Sequence, residues 1–279
     1  MYPLLTLGEH TVRAYGLLVI LGTVIGTVWA RARYEDIRGP EETDLHFWTL
    51  IYALVLGALV GGKLGFFIVE WRDFLAHPVA RLVRLNNGWV YWFAITGSMA
   101  GGWLYQQWFN RRHRTKRRYL PIADYIITAL PMGHWLGRVG CFLNGCCHGR
   151  PTDLPWGVRF THRASAVPDA FLNVPLHPTQ LYEAGCELAL ALFLALHVLP
   201  GIRRGRYAYG TAFFGYILLY SGMRFWVEFL RGDDRGVLLW PVLSPSQWYS
   251  LAGMLIAAVM LRRNGVRERA PEGRSPFYS

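Results

Sequence analysis

The chain has 279 residues, of which 53% are hydrophobic, 15% aromatic and only 17% charged, with a formal net charge of +11. That balance is too apolar for an ordinary soluble domain of this length. The basic excess does not mark a nucleic-acid binder, because it is spread over alternate connecting segments rather than gathered on one face.

Seven apolar blocks follow one another along the chain: Ala14–Ala30, Phe47–Val69, Trp89–Phe109, Ile122–Leu136, Leu181–Leu199, Gly210–Leu230 and Val242–Leu261. Most have the roughly 17–25 residues that a helix needs to cross the hydrocarbon core. Ile122–Leu136 is shorter and carries Asp124, Pro131 and His134, so it reads as a helix lined by other helices rather than by lipid. The first block has no basic segment before it and is followed by Arg31 and Arg33, the flank of a retained membrane helix rather than of a cleaved leader. The fold expected is therefore an all-α integral membrane protein of seven transmembrane helices.

Between the blocks, arginine and lysine crowd into 31–38, 111–118, 203–206 and 262–274, while 71–88, 141–180 and 231–241 are less basic and carry Asp73, Asp153, Asp169, Asp233 and Asp234. This alternation places the N-terminus outside and the C-terminus in the cytoplasm of a multi-pass membrane protein. No repeat or low-complexity linker interrupts the chain, so residues 1–264 read as one membrane domain and 265–279 as a charged cytoplasmic tail. Residues 141–180, with Pro151, Pro155, Pro168, Pro175 and Pro178, read as an outer loop cap. Asp73–Asn87 has the stripe of an amphipathic surface helix.

Several blocks hold polar groups that lipid would reject. Tyr15 opens the first, Lys63 lies in the second, Glu183 opens the fifth, and Arg224 and Glu228 stand four apart on one face of the sixth. Charges so placed mark either an inward structural ion pair or a substrate path. Lys63 is open to snorkelling, and Glu183 to a role as a helix N-terminal carboxylate.

The densest chemistry is in Gly137-Arg138-Val139-Gly140-Cys141-Phe142-Leu143-Asn144-Gly145-Cys146-Cys147-His148-Gly149. Three readings stay open. The cysteines and His148 are a metal site, although adjacent Cys146 and Cys147 suit one tetrahedral ion poorly; the thiols form a disulfide in an oxidising compartment; or a tight glycine-rich turn and Arg138 hold a phosphate through backbone amides and a guanidinium fork.

Five stretches together resemble the prolipoprotein diacylglyceryl transferase family: Arg13-Ala14-Tyr15-Gly16, Gly61-Gly62-Lys63-Leu64-Gly65, the run Gly137–Gly149, His177-Pro178-Thr179-Gln180-Leu181-Tyr182-Glu183, and Arg224-Phe225-Trp226-Val227-Glu228-Phe229-Leu230-Arg231. The resemblance spans nearly the whole chain and implies seven membrane helices with the N-terminus outside. It implies transfer of a diacylglyceryl group from phosphatidylglycerol to the lipobox cysteine of a prolipoprotein signal peptide, with release of glycerol phosphate. Arg138 and Arg224 would hold the lipid phosphate, Glu228 would orient Arg224, and Tyr15 would shape the site. Gly140, Cys141, Asn144, Cys146, Gly149, His177 and Gln180 would line the substrate, with Gly149 allowing close backbone approach. The partners implied are these two substrates and membrane lipids, with no nucleic acid, no metal and no other cofactor.

The chain also departs from the family pattern. Trp92-Phe93-Ala94 stands where a histidine and two glycines are usual, Cys141 where asparagine is common, and Cys146 where glutamate is common. Tryptophan takes no proton from a thiol, and nothing in the sequence shows Glu70 or His134 replacing the histidine. Transfer to another acceptor, or lipid binding without catalysis, are the alternatives these departures leave.

Overall fold

The computed structural model describes residues 4–7, 10–38, 42–76, 78, 90–233 and 242–267. They are mostly helical. Helices α1 (Ala14–Tyr34), α2 (Asp44–Val69), α3 (Trp71–Ala76), α4 (Tyr91–His113), α5 (Tyr119–Ile127), α6 (Ala129–Asn144), α7 (Thr179–Phe193), α8 (Leu199–Arg203), α9 (Thr211–Glu228) and α10 (Pro245–Arg267) follow in order. Two small antiparallel ribbons, which the all-α expectation did not include, pair β1 (Leu4–Leu7) with β2 (His10–Arg13) and β3 (Val158–Arg159) with β4 (Pro175–Leu176).

Three stretches among the described residues are long and apolar enough to cross a membrane: Ala14–Tyr34, Asp44–Val69 and the continuous run Thr179–Arg203. The last joins α7 to α8 through a widened turn at Leu194–Val198, just before Pro200, whose missing amide a regular helix would leave as a gap. Most of the expected surface helix Asp73–Asn87 and nearly all of the tail 265–279 lie outside the described residues.

Packing divides the chain into two compact units, Met1–Asp36 with Leu120–Pro276 and, among the described residues, Ile37–Tyr119. In the second unit α2 lies against α4. Gly57, Gly61 and Gly65, spaced four apart, meet Gly97, Gly101 and Phe93, and a Cβ on Gly57, Gly61 or Gly97 would strike the facing helix's backbone. This is small-residue packing, which brings helix axes close where no hydrophobic effect drives association. A Gly97→Leu variant is expected to lose at least about 1–3 kcal/mol of stability by overpacking, read as a lower unfolding temperature in detergent. The Lys63 ammonium, midway in sequence between Gly61 and Gly65, sits 5.3 Å and 5.5 Å from the Phe66 and Phe67 ring centres. At the other end of the unit Arg117 is buried with Glu42 and donates to the Ile37 carbonyl at 2.6 Å, so this member of the basic run 111–118 is structural.

The first unit repeats the small-residue pattern. Gly22, Gly26 and Ala30 of α1 are buried, with Gly22 and Gly26 against Gly133 and Ala129 of α6. Ile20 and Val28 on the opposite side are each 64% exposed. Small residues inward and large apolar residues outward is the inverse of a soluble protein. The block Ile122–Leu136 is two helices rather than one, broken at Thr128 between α5 and α6. Asp124, fully buried on α5, accepts from the Gly210 and Phe213 amides at 2.6 and 2.9 Å. It caps the N-terminus of α9, which explains an acid inside an apolar block.

Helix α6 runs to Asn144, so the segment expected as a loop from residue 141 is helical at its start. Its own small core joins Phe160, Val167 and Leu176 to Phe142, Phe171 and Val174. That core and the β3–β4 ribbon fix the chain between α6 and α7.

Candidate active site

Helices α6 and α7 pack side by side in the first unit. His134 and Arg138 are four apart on α6, hence on one face, and Glu183 and Glu187 are four apart on α7. The two pairs match rung by rung. His134 Nδ1 lies 2.6 Å from Glu187 Oε1, and Arg138 Nη2 lies 2.8 Å from Glu183 Oε2. Both glutamates are fully buried.

The second rung extends into a chain of charges. Arg231 Nη1 reaches Glu183 Oε1 at 3.2 Å and its Nε stands 3.8 Å from Glu228 Oε2. Glu228 in turn pairs with Arg224 Nη2 at 2.6 Å and accepts from Ser244 Oγ at 2.7 Å. Asp233 takes two further hydrogen bonds from Arg231, at 2.8 and 2.7 Å. Arg138 and Arg224, from different helices, are thus linked through Glu183, Arg231 and Glu228. Two donors in this network, Arg138 Nε and Arg224 Nη1, are buried and have no hydrogen-bond partner among the described residues. A buried guanidinium N–H left unmet is costly unless an anion meets it.

Backbone pairing sets Arg231 in place. Gly149 bridges to Arg231, the Arg150 amide donates to the Leu230 carbonyl at 2.8 Å, and the Gly232 amide to the His148 carbonyl at 3.1 Å. A Cβ on Gly149 would press on His177 and on the Leu230 carbonyl. The close approach that Gly149 permits is therefore to the protein's own backbone. His177 serves the same junction, its amide donating to the Arg150 carbonyl at 3.0 Å.

The signature run differs from the expected phosphate-cradling turn. Residues 137–144 are helical, and the Gly145 amide, at φ 83°, closes the helix on the Cys141 and Phe142 carbonyls at 2.9 and 3.2 Å. The amides of 137–145 are engaged in a helix and its cap and are not an anion nest, so within that stretch it is Arg138's side chain that can meet a phosphate. Gly140 lies against the Tyr15 backbone, which seats α1 on α6, and the Asn144 carbonyl accepts from the Ala166 amide of the cap at 2.8 Å. Gln180, fully buried, donates to the Cys146 carbonyl at 2.8 Å, and Thr179 to the Cys147 carbonyl at 2.9 Å. Gln180 thus holds the run's backbone.

All four cysteines carry free thiols. Cys141, Cys146 and Cys147 converge, their sulfurs all within 4.8 Å of one another. Hydrogen bonds from the Cys141 and Cys146 thiols, aided by the adjacent Arg231 guanidinium, outweigh burial and hold the Cys147 thiol well below its ordinary range.

The sequence reading brought Arg138, Arg224 and Glu228 forward but not Arg231, Asp233, Ser244 or Glu187, and it took Glu183 for a helix-terminal carboxylate. The spacing of Glu183 and Glu187 inside an apolar block, matching His134 inside another and Arg138 just past its end, was the available signal. Trp92 stands on α4 of the second unit.

Comparison with known proteins bears on this geometry. The family model described as prolipoprotein diacylglyceryl transferase matches residues 3–263. Relatives named phosphatidylglycerol–prolipoprotein diacylglyceryl transferase include one from Clostridium tetani, 32% identical over 91% of this chain and 94% of its own. Another, from Cupriavidus metallidurans, is 33% identical over 91% and 90%, and one from Solidesulfovibrio magneticus is 32% identical over 96% of each. With the match running through both units and every residue of the arginine–carboxylate network, the chain belongs to the prolipoprotein diacylglyceryl transferase family.

Proposed function

We propose that this protein transfers the diacylglyceryl group of phosphatidylglycerol to the thiol of a lipobox cysteine in a prolipoprotein signal peptide, releasing glycerol phosphate. The observation that carries this reading is the pair of unmet buried N–H groups on Arg138 and Arg224 within one linked network. They suit a phosphodiester arriving from the bilayer. The reaction forms a carbon–sulfur bond at the glycerol carbon and breaks its bond to the phosphate oxygen. Negative charge grows on the departing phosphate, where the guanidinium groups of Arg138 and Arg224 stabilise it. Glu183, Arg231 and Glu228 keep both arginines in position, and Tyr15, Cys141 and Asn144 at the end of α6, Cys146 just beyond it, and His177 and Gln180 at the entry to α7 border the site.

The thiol must lose its proton. His134, held by Glu187 one turn from Arg138, has the chemistry of an oriented base: the thiol proton passes to the imidazole, and the carboxylate stabilises the resulting cation. This assigns to α6 the proton task that Trp92 cannot perform. Seven membrane helices, an N-terminus outside, a cytoplasmic tail and residence in a bacterial inner membrane agree with the alternating charge and with the outward apolar faces of α1 and α2.

Purified protein, vesicles of phosphatidylglycerol and a lipobox peptide test the reading. Thioether-linked peptide and an equal amount of glycerol phosphate are expected, and Arg138→Gln should lower the rate by about 10²–10³. Absence of both products from the wild type under conditions where a relative is active would overturn it.

A further inference from the structure

We propose that Cys141, Cys146 and Cys147 form a three-sulfur site for one thiophilic metal ion of the zinc and cadmium class. The inference is independent of the transfer reaction proposed above.

Distance is the first argument. A metal–sulfur bond of about 2.3 Å puts the sulfurs of a three-thiolate shell about 3.7–4.0 Å apart. The three sulfurs here all lie within 4.8 Å of one another, so small side-chain rotations close the shell. Adjacent cysteines usually point apart, but the backbone here makes them converge. Cys147 adopts φ 62°, a conformation that costs a non-glycine residue free energy and persists only where the surroundings enforce it. The surroundings do so: Gly145 turns the chain at φ 83°, and Gln180 and Thr179 hold the Cys146 and Cys147 carbonyls at 2.8 and 2.9 Å. Cys141 projects from the last turn of α6 and supplies the third sulfur.

Charge is the second argument. Binding a divalent ion displaces to solvent the protons the three sulfurs still carry and leaves a trithiolate complex of net charge minus one. Arg231, in hydrogen-bonding reach of the Cys147 sulfur, sets a cation beside it. The set is all soft sulfur, which favours thiophilic ions over magnesium or calcium. His148 is not needed in the shell, since its Nδ1 is 3.0 Å from the Gly149 carbonyl. A bound ion would tie the end of α6, and so Arg138, to the segment that pairs with Arg231.

The test uses the full chain in detergent, reduced and then freed of reductant under argon, titrated with Cd²⁺. The ultraviolet sulfur-to-cadmium band should saturate at one ion per chain. Saturation should protect Cys141, Cys146 and Cys147 from alkylation, read by peptide mass, while exposed Cys186 still reacts. Cys141→Ser, Cys146→Ser and Cys147→Ser should each weaken binding by about tenfold or more, whereas Cys186→Ser should not. Variants are compared only if they elute as the wild type does, and metal content of protein purified without chelator is the second measurement. No saturable band, binding that leaves the three thiols unprotected, or a disulfide joining two of them in protein isolated without reductant would each overturn the proposal.

Discussion

His134→Ala should lower the rate of peptide lipidation by about 10²–10⁴, the usual contribution of a positioned general base, with little change in the amount of phosphatidylglycerol bound. The expectation rests on the proposed role of His134 as base, which stands a turn from Arg138 and 2.6 Å from the buried Glu187 and is not one of the two arginines proposed to hold the lipid phosphate. The pH profile separates this role from a structural one. Without His134 the thiolate must come from solution, and the residual rate should follow hydroxide up to the acceptor's own ionisation. Glu187→Gln should lie between the two, because an amide still orients the ring but does not offset its positive charge. A His134→Ala enzyme with unaltered rate and pH profile would remove His134 from the mechanism.

Glu183→Ala should destabilise the protein by about 3–5 kcal/mol, the usual cost of stranding a buried charge. This carboxylate is fully buried and serves two guanidinium groups at once, Arg138 at 2.8 Å and Arg231 at 3.2 Å. Its loss leaves both arginines inside the unit without their shared counter-ion. Glu183→Gln should cost less, since the amide oxygen still accepts a hydrogen bond. Combining Glu183→Ala with Arg138→Ala should destabilise by less than the sum of the two single changes, because groups in one network couple by about 0.5–3 kcal/mol. Thermal unfolding in a single detergent gives all four values. Additive losses would mean that the Arg138–Glu183 contact contributes nothing to the fold.

How much of this was legible beforehand follows from the kind of physics each feature obeys. Membrane character is a property of composition and block length, and α1, α2 and the run Thr179–Arg203 lie where the apolar blocks put them. The pair Arg224–Glu228 was visible because spacing within one helix places both on one face. The break at Thr128 was not visible, because the block 122–136 is apolar on both sides of it. Nor was the helical state of 137–144: its glycines read as a turn in isolation, whereas packing against α1 makes them contact points on a helix, as Gly140 against Tyr15 shows.

By itself the sequence determined an apolar helical membrane protein, its family and the arginines on which a phosphate reading depends, because these rest on local composition, periodicity and motif order. Only the tertiary structure decided that Glu183 serves both Arg138 and Arg231, that Glu187 holds His134, that Gln180 and Gly149 hold backbone together, and that three thiols converge beside Arg231. Each of these joins residues tens of positions apart, where chain spacing carries no distance information and only the packing of α6, α7 and α9 brings the groups within hydrogen-bonding reach.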